Sequence, residues 1–210
     1  DKSVSRGLGD VYKRQSVDIP VTVKCRTGVD DNDDYEFLKS FISTVKDSGV
    51  KTFIIHARKG ILKGLSPRQN RNIPPLNYQK VYSIKDDFPD LEIIINGGIK
   101  NISEAKNHLN FVDGVMLGRA AYDDPFMLSD IDSEIYSNTK VEISRKDLLT
   151  EYLDYVHVMT KKGYDPKIML KHVFGLKKGE KDAKRFRVKV AEIMNSSSLV
   201  ENQDELLSMV

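Results

Sequence analysis

Residues 92–100 read "EIIINGGIK", Glu92-Ile93-Ile94-Ile95-Asn96-Gly97-Gly98-Ile99-Lys100. Three successive isoleucines predict a strand buried inside a sheet. Two readings compete for the Asn-Gly-Gly at its end. Asn-Gly is the strongest short signal for a two-residue hairpin. A glycine pair after a buried strand also lets backbone amides approach an anion. A hairpin requires a second strand directly after the turn. Here Ile99 to Lys106 predicts a helix entry, with Ser103 as its N-cap. The glycines therefore open a strand-to-helix loop.

The same pattern repeats on both sides. Apolar runs at Ile19–Val23, Phe53–Ile55 and Gly114–Leu117 join Ile93–Ile95. They scarcely alternate, which predicts strands buried on both faces. Helical patterns lie between them. Tyr35–Ser48 places Phe37, Leu38, Phe41, Ile42 and Val45 on one stripe, and Gly49 ends it. A second helix near 77–88 puts Val81, Ile84 and Phe88 together and stops at Pro89. A third, starting at Ser103, turns Ala105 and Leu109 inward. The order βαβαβαβ predicts a parallel α/β sheet, open or closed into a barrel.

After Arg119 the pattern changes. Residues 144–209 predict helices only. Ser144 and Asp147 have the spacing of a capping box, and Leu148, Leu149, Tyr152, Leu153, Val156 and Met159 form a stripe. Gly163-Tyr164-Asp165-Pro166 breaks it, and further helices are expected over 167–175, 181–195 and 202–209. The chain thus divides into an α/β part to about 130 and a helical part from about 143.

Composition narrows the function classes. The 210 residues carry a net charge of only +2, so their total argues for no particular partner. Charge is uneven, however. Residues 161–189 are dense in Lys and Arg, opposed only by Asp165, Glu180 and Asp182, which suits either a phosphate-facing surface or a solvated helix face. No apolar run approaches the roughly 18 residues of a membrane span. The single cysteine excludes an internal disulfide and fits a reducing, cytoplasmic setting. His108, His157 and His172 have no partners at ligand spacing, so no metal site is assigned.

Each strand run ends in polar residues or glycine: Lys24-Cys25-Arg26, His56-Ala57-Arg58-Lys59, Asn96-Gly97-Gly98 and Gly118-Arg119. Parallel α/β folds bind ligands at the carboxyl ends of their strands. Gly97, Gly98 and Gly118 free backbone amides, and the Arg119 fork suits phosphate. A phosphorylated cofactor is expected there. No Gly-x-Gly-x-x-Gly motif or P-loop is present, which argues against a Rossmann dinucleotide site or a Walker nucleotidase. Lys24 and Arg26 share a strand face. Cys25 points the other way, as a small buried apolar residue.

Four stretches carry a resemblance: "VTVKCRTGVDD" (21–31), "FIIHARKGILKGLSPRQNRNIPPL" (53–76), "INGGIK" (95–100) and "DGVMLGRAAYDDPFML" (113–128). Together they resemble the tRNA-dihydrouridine synthases, and the long 57–76 loop resembles the A subfamily of these enzymes. The similarity runs from about 17 to about 195. It implies an FMN enzyme that uses NADPH to reduce uridines 20 and 20a of the tRNA D-loop, passing hydride from flavin N5 to uracil C6 while an acid protonates C5. A flipped-out base is expected. The family fold implies the C-terminal half of a TIM (β/α)8 barrel over 17–130, about four βα units, followed by an all-α tRNA-binding domain over 143–210. Carried over by position, Lys24 and His56 match flavin-ring contacts. Asn96, Gly97, Gly98, Gly118 and Arg119 match the FMN phosphate site. Arg68, Arg71, Lys184 and Arg187 match tRNA contacts.

The sequence departs from the family in one respect. The family's acid is a cysteine in the first half of the barrel, and no matching segment occurs here. Residues 1–16 resemble no part of the family. Within them "SVSRGLGDVYKRQ" (3–15) resembles translated adapter-like sequence at broken gene ends. The expectation is a C-terminal piece of a synthase that forms no dihydrouridine alone and exposes two strand edges and an apolar inner face. Two other readings stay open: another FMN- or phosphate-binding barrel oxidoreductase acting on a small molecule, and a non-catalytic RNA-binding module.

Overall fold

The computed structural model describes residues 19–136, 139–195 and 203–210. The leader assigned to 1–16 lies outside the described residues. The chain divides into two compact units, which meet in sequence between Gly118 and Arg119.

The first unit is an α/β sheet. Four strands, β1 (Val23–Arg26), β2 (Thr52–His56), β3 (Glu92–Asn96) and β4 (Gly114–Met116), lie in the order β1-β2-β3-β4. All three pairings are parallel. Three helices cross over between them: α1 (Tyr35–Asp47), α2 (Tyr78–Asp87) and α3 (Ile102–Leu109). Each begins on a side-chain cap, with Asp34 accepting from Phe37 N, Asn77 from Lys80 N and Asn101 from Glu104 N. The N-cap of α3 is therefore Asn101 and not Ser103. Asn101 precedes Glu104 by three residues, and Glu104 reaches back to Lys100 N at 2.8 Å, so the earlier residue satisfies more of the open amides.

The strands bury one face. Phe53, Ile55, Ile93 and Ile95 are fully buried under the helical layer, with Leu38, Ile42, Val45, Val81, Ile84 and Ala105. Burying each such large side chain contributes about 1.5–3 kcal/mol. The opposite row, with Ile54, His56, Ile94 and Asn96, is only half buried. Burial on both faces, expected from the sequence, is thus corrected to burial on one. Among the described residues the sheet is open, with β1 and β4 at its edges.

Two further corrections concern apolar residues. The first strand is not Ile19–Val23 but Val23–Arg26, and Ile19 is 70% exposed. Pairing with β2 sets this position, since Val23 lies opposite Phe53 and Arg26 opposite His56. Pro20 has no N–H to give such a ladder. Phe37, expected on the buried stripe of α1, is 40% exposed.

Helix α3 buries His108 with Ala105, and Leu109 only partly. His108 Nδ1 lies 2.6 Å from the Tyr82 hydroxyl. Burial lowers its pKa below the ordinary 6.5, against a smaller upward pull from Glu104. The unfolded chain therefore takes the proton first. Above about pH 6.5 both states are neutral and nothing is lost; as pH falls below that value the native state is progressively disfavoured. The thermal midpoint of the first unit should drop between about pH 7 and pH 5, and His108→Gln should flatten that drop. An equal slope in the variant would assign the acid sensitivity to other groups.

Among the described residues the second unit contains helices only: α4 (Arg119–Asp123), α5 (Ile131–Glu134), α6 (Arg145–Lys161), α7 (Pro166–Leu170), α8 (Ala183–Asn195) and α9 (Gln203–Leu207), with 3-10 turns at Pro125–Asp130 and Lys171–Val173. Its helices begin at Arg119. The Ser144–Asp147 capping box forms as expected. Helix α6 gives way at Gly163, whose φ is +91°, and α7 begins with Asp165 as cap and Pro166 in its first turn. Leu149, Leu153, Leu170, Val173, Leu176, Phe186, Val190, Ile193 and Leu206 make its core.

Candidate functional site

The parallel register stands Arg26, His56, Asn96 and Met116 side by side at the carboxyl edge of the sheet. Lys24 lies one step back on the same face. A cavity of about 1020 Å³ opens over β1, and Lys24, Arg26, His56, Asn70, Arg71 and Asn96 supply polar groups to its wall. Its size matches a small-molecule site. No Asp or Glu lines it.

Cations crowd this wall. Burial lowers the Lys24 pKa, and Arg26 beside it lowers it further. Arg26 is lowered by burial and then by the nearby charges of Arg58 and Arg71. Like charges gathered around a half-buried face disfavour one another until an anion joins them. Cys25, in register with the buried Ile55, is half-buried and contributes to the cavity lining, and burial pushes its thiol up to about 12. At neutral pH it is a thiol, neither a nucleophile nor a ready proton donor.

The side chains are held individually. Asn96 Oδ1 accepts from Lys24 Nζ at 3.2 Å, while Asn96 Nδ2 donates to the Met116 carbonyl at 2.7 Å. Its amide thus ties β1, β3 and β4 together. Arg26 Nη1 donates to the carbonyls of Lys59 and Asn70, at 2.9 and 3.1 Å. Asn70 in turn pairs with the Ile61 backbone through both ends of its amide, at 2.7 Å each way, which braces the 57–76 loop. Arg58 Nη1 donates to the Pro74 carbonyl. Its Nε is buried without a partner among the described residues.

Gly97 and Gly98 follow Asn96 with φ of +112° and +76°. Both positions are closed to a side chain. A Cβ on Gly97 would lie 2.4 Å from His56 Cδ2, and one on Gly98 would lie 2.5 Å from Leu76 Cδ1. Around Gly118 there is open space. Arg119 is the first residue of α4 and belongs to the second unit.

Of the residues singled out from sequence, Lys24, His56 and Asn96 meet in one cavity, with Gly97 and Gly98 next to it in the chain. Arg71, assigned to tRNA, lines the same cavity and acts on Arg26. Arg68 is exposed at the start of the 3-10 turn Gln69–Arg71. In the second unit Lys184 and Arg187 are exposed one turn apart on α8, opposite the buried Phe186, Val190 and Ile193. Arg26, on the same strand face as Lys24, joins the site although the sequence places only Lys24 and His56 against the flavin ring. The i, i+2 spacing of two cations on one strand was the available signal. Asn70 gave no signal of its own. Among the described residues no group of His, Cys, Asp and Glu is arranged to hold a metal ion, and no helix is long and apolar enough to cross a membrane.

The family model described as dihydrouridine synthase (Dus) matches residues 11–209. A tRNA-dihydrouridine(20/20a) synthase of Shewanella oneidensis is 46% identical over 179 residues, covering 85% of this chain and 53% of the relative. The Vibrio cholerae enzyme of that name is 45% identical over 180 residues, 85% of this chain and 55% of the relative. A Pseudomonas putida homologue is 42% identical over 174 residues, 83% and 52%. The chain spans about half the length of the curated relatives it matches.

Proposed function

The chain belongs to the dihydrouridine synthase family, and we propose that it carries the cofactor-phosphate end and part of the tRNA-binding surface of an enzyme that reduces uridine to 5,6-dihydrouridine in tRNA. The cofactor in this reading is FMN and the reductant NADPH. The observation that carries it is the cavity over β1 at the carboxyl edge of the parallel sheet, walled by Lys24, Arg26, His56 and Arg71 with no carboxylate.

The residues fit FMN. A phosphorylated flavin is an anion with a large flat ring, and the site offers cations, a wide cavity and bare backbone beside it. Lys24 and His56 would hold the ring, and Asn96, Gly97, Gly98 and Gly118 the phosphate end. FMN, when bound, supplies the redox chemistry that a set of Lys, Arg, His and Asn side chains lacks. Asn96 orients Lys24. Arg26 stays fixed by two carbonyls and keeps its positive charge where a uracil carbonyl or a phosphate would enter. Cys25, whose thiol burial pushes up to about 12, is not the acid that protonates uracil C5. Within this reading the 210-residue polypeptide binds but does not turn over. Arg68 and Arg71 in the first unit, and Lys184 and Arg187 in the second, would grip tRNA phosphates. An i, i+3 pair of cations on an exposed helix suits backbone contact and not base readout.

Filter binding of unmodified tRNA across a salt series tests this. Affinity should fall steeply with salt. Replacing both Lys184 and Arg187 with Ala should weaken binding and reduce the log–log slope by roughly 1–2, about one counterion per lost contact. A salt-insensitive interaction would favour a small-molecule oxidoreductase. Dihydrouridine formed by the 210-residue chain with FMN and NADPH would overturn the assignment of binding without turnover.

A further inference from the structure

Tyr78, in the first turn of α2, lies outside the residues assigned to flavin and tRNA. Its hydroxyl donates to the Gly97 carbonyl at 2.9 Å, across 19 positions of sequence. We propose that Tyr78 is a positioning residue for the anion cradle: its hydroxyl fixes the Gly97–Gly98 peptide so that the Gly98 N–H faces the phosphate. This rests on the FMN-phosphate reading of Asn96-Gly97-Gly98.

In a trans peptide the carbonyl of Gly97 and the N–H of Gly98 point in opposite directions. Drawing the carbonyl toward the Tyr78 hydroxyl on α2 turns the N–H away from that helix. Among the described residues nothing accepts from this N–H. Glycines need such a restraint more than other residues, because both lack a Cβ and hold positive φ. An unheld Gly-Gly peptide would flip freely and offer its carbonyl oxygen to the phosphate as readily as its N–H.

Tyr78 is itself well held. The His108 ring meets it edge-on with centroids 4.5 Å apart, and His108 bonds to Tyr82. Burial raises the Tyr78 pKa, so the phenol stays a neutral donor at physiological pH. Its oxygen would sit 2.8 Å from a Cβ on Gly98. The His108–Tyr82 pair, which joins α3 to α2, thereby gains a purpose: it keeps the Tyr78 ring in one rotamer behind the glycines.

Tyr78→Phe removes the hydroxyl and keeps the ring and its packing. Binding of FMN and of riboflavin, which lacks the phosphate, should be measured for both proteins by flavin fluorescence. The variant should lose roughly threefold to tenfold in FMN affinity, the worth of one neutral hydrogen bond, with riboflavin unchanged. In ¹⁵N relaxation of the ligand-free chains, the Gly98 amide should become more mobile in the variant. Equal losses for both flavins, or an unchanged Gly98 amide, would overturn the positioning role. A wild-type chain that binds FMN no better than riboflavin would overturn the phosphate reading itself, and this role with it.

Discussion

Gly97→Ala should destabilise the first unit by about 2–4 kcal/mol and, on the proposed FMN reading, leave FMN bound no better than riboflavin. Two independent costs combine. A φ of +112° is one that L side chains rarely adopt, and a new Cβ would sit 2.4 Å from His56 Cδ2. Relief requires either a backbone shift, which pulls on the Tyr78 bond and turns the Gly98 amide, or a turn of the His56 ring. The ring lines the cavity, so turning it removes a ligand-facing group. Either route damages the site as well as the fold. The thermal midpoint should drop by about 8 °C or more, and FMN should bind no better than riboflavin. An alanine variant that melts with the wild type would mean that the glycine's freedom is not used.

Phe186→Ala should cost the second unit about 3–5 kcal/mol. Phe186 is fully buried on α8 among Leu149, Leu153, Leu170 and Val190. Removing the ring leaves a cavity that its aliphatic neighbours, most of them held on the 17-residue α6 and the 13-residue α8, close only in part. A unit of this size has about 5–15 kcal/mol to lose, so the variant approaches unfolding at moderate temperature. Because Lys184 and Arg187 flank Phe186 on the same helix, tRNA retention should fall with helicity, although no charge has changed. A circular dichroism melt read beside filter binding checks this. Wild-type tRNA affinity in a variant whose helices have melted would detach binding from the α8 surface.

The sequence was most readable where backbone chemistry leaves a compositional mark. The βα order, the Ser144–Asp147 box, the break at 163–166 and the glycines after β3 all belong to this kind. Hydrophobicity misplaced β1, because Ile19 is apolar but the ladder is set by what His56 and Phe53 offer opposite. Asn101 and Ser103 are both good caps. Only the position of Glu104, three residues after Asn101, separates them. The one-sided burial of the sheet was hidden because Ile54 and Ile94 are as apolar as their buried neighbours. The cavity wall was partly legible, through Lys24, His56 and Asn96. The places of Arg71 and Tyr78 were not, since the path of the 57–76 loop brings them there and no local pattern encodes that path.

The strand order β1-β2-β3-β4 has a consequence for how the molecule assembles. β2, β3 and β4 each pair with the strand made just before, so each of these steps closes a single loop. Growth can follow the direction of synthesis. Asn96 interrupts that simplicity, because its amide needs the Met116 carbonyl on the last strand to be fixed. Until β4 docks, Lys24 has only a loosely held acceptor, and the cations along the sheet edge repel one another with no rigid wall behind them. The three-residue β4 thus does more than widen the sheet: through the Met116 carbonyl it fixes the acceptor that Lys24 uses on the opposite edge.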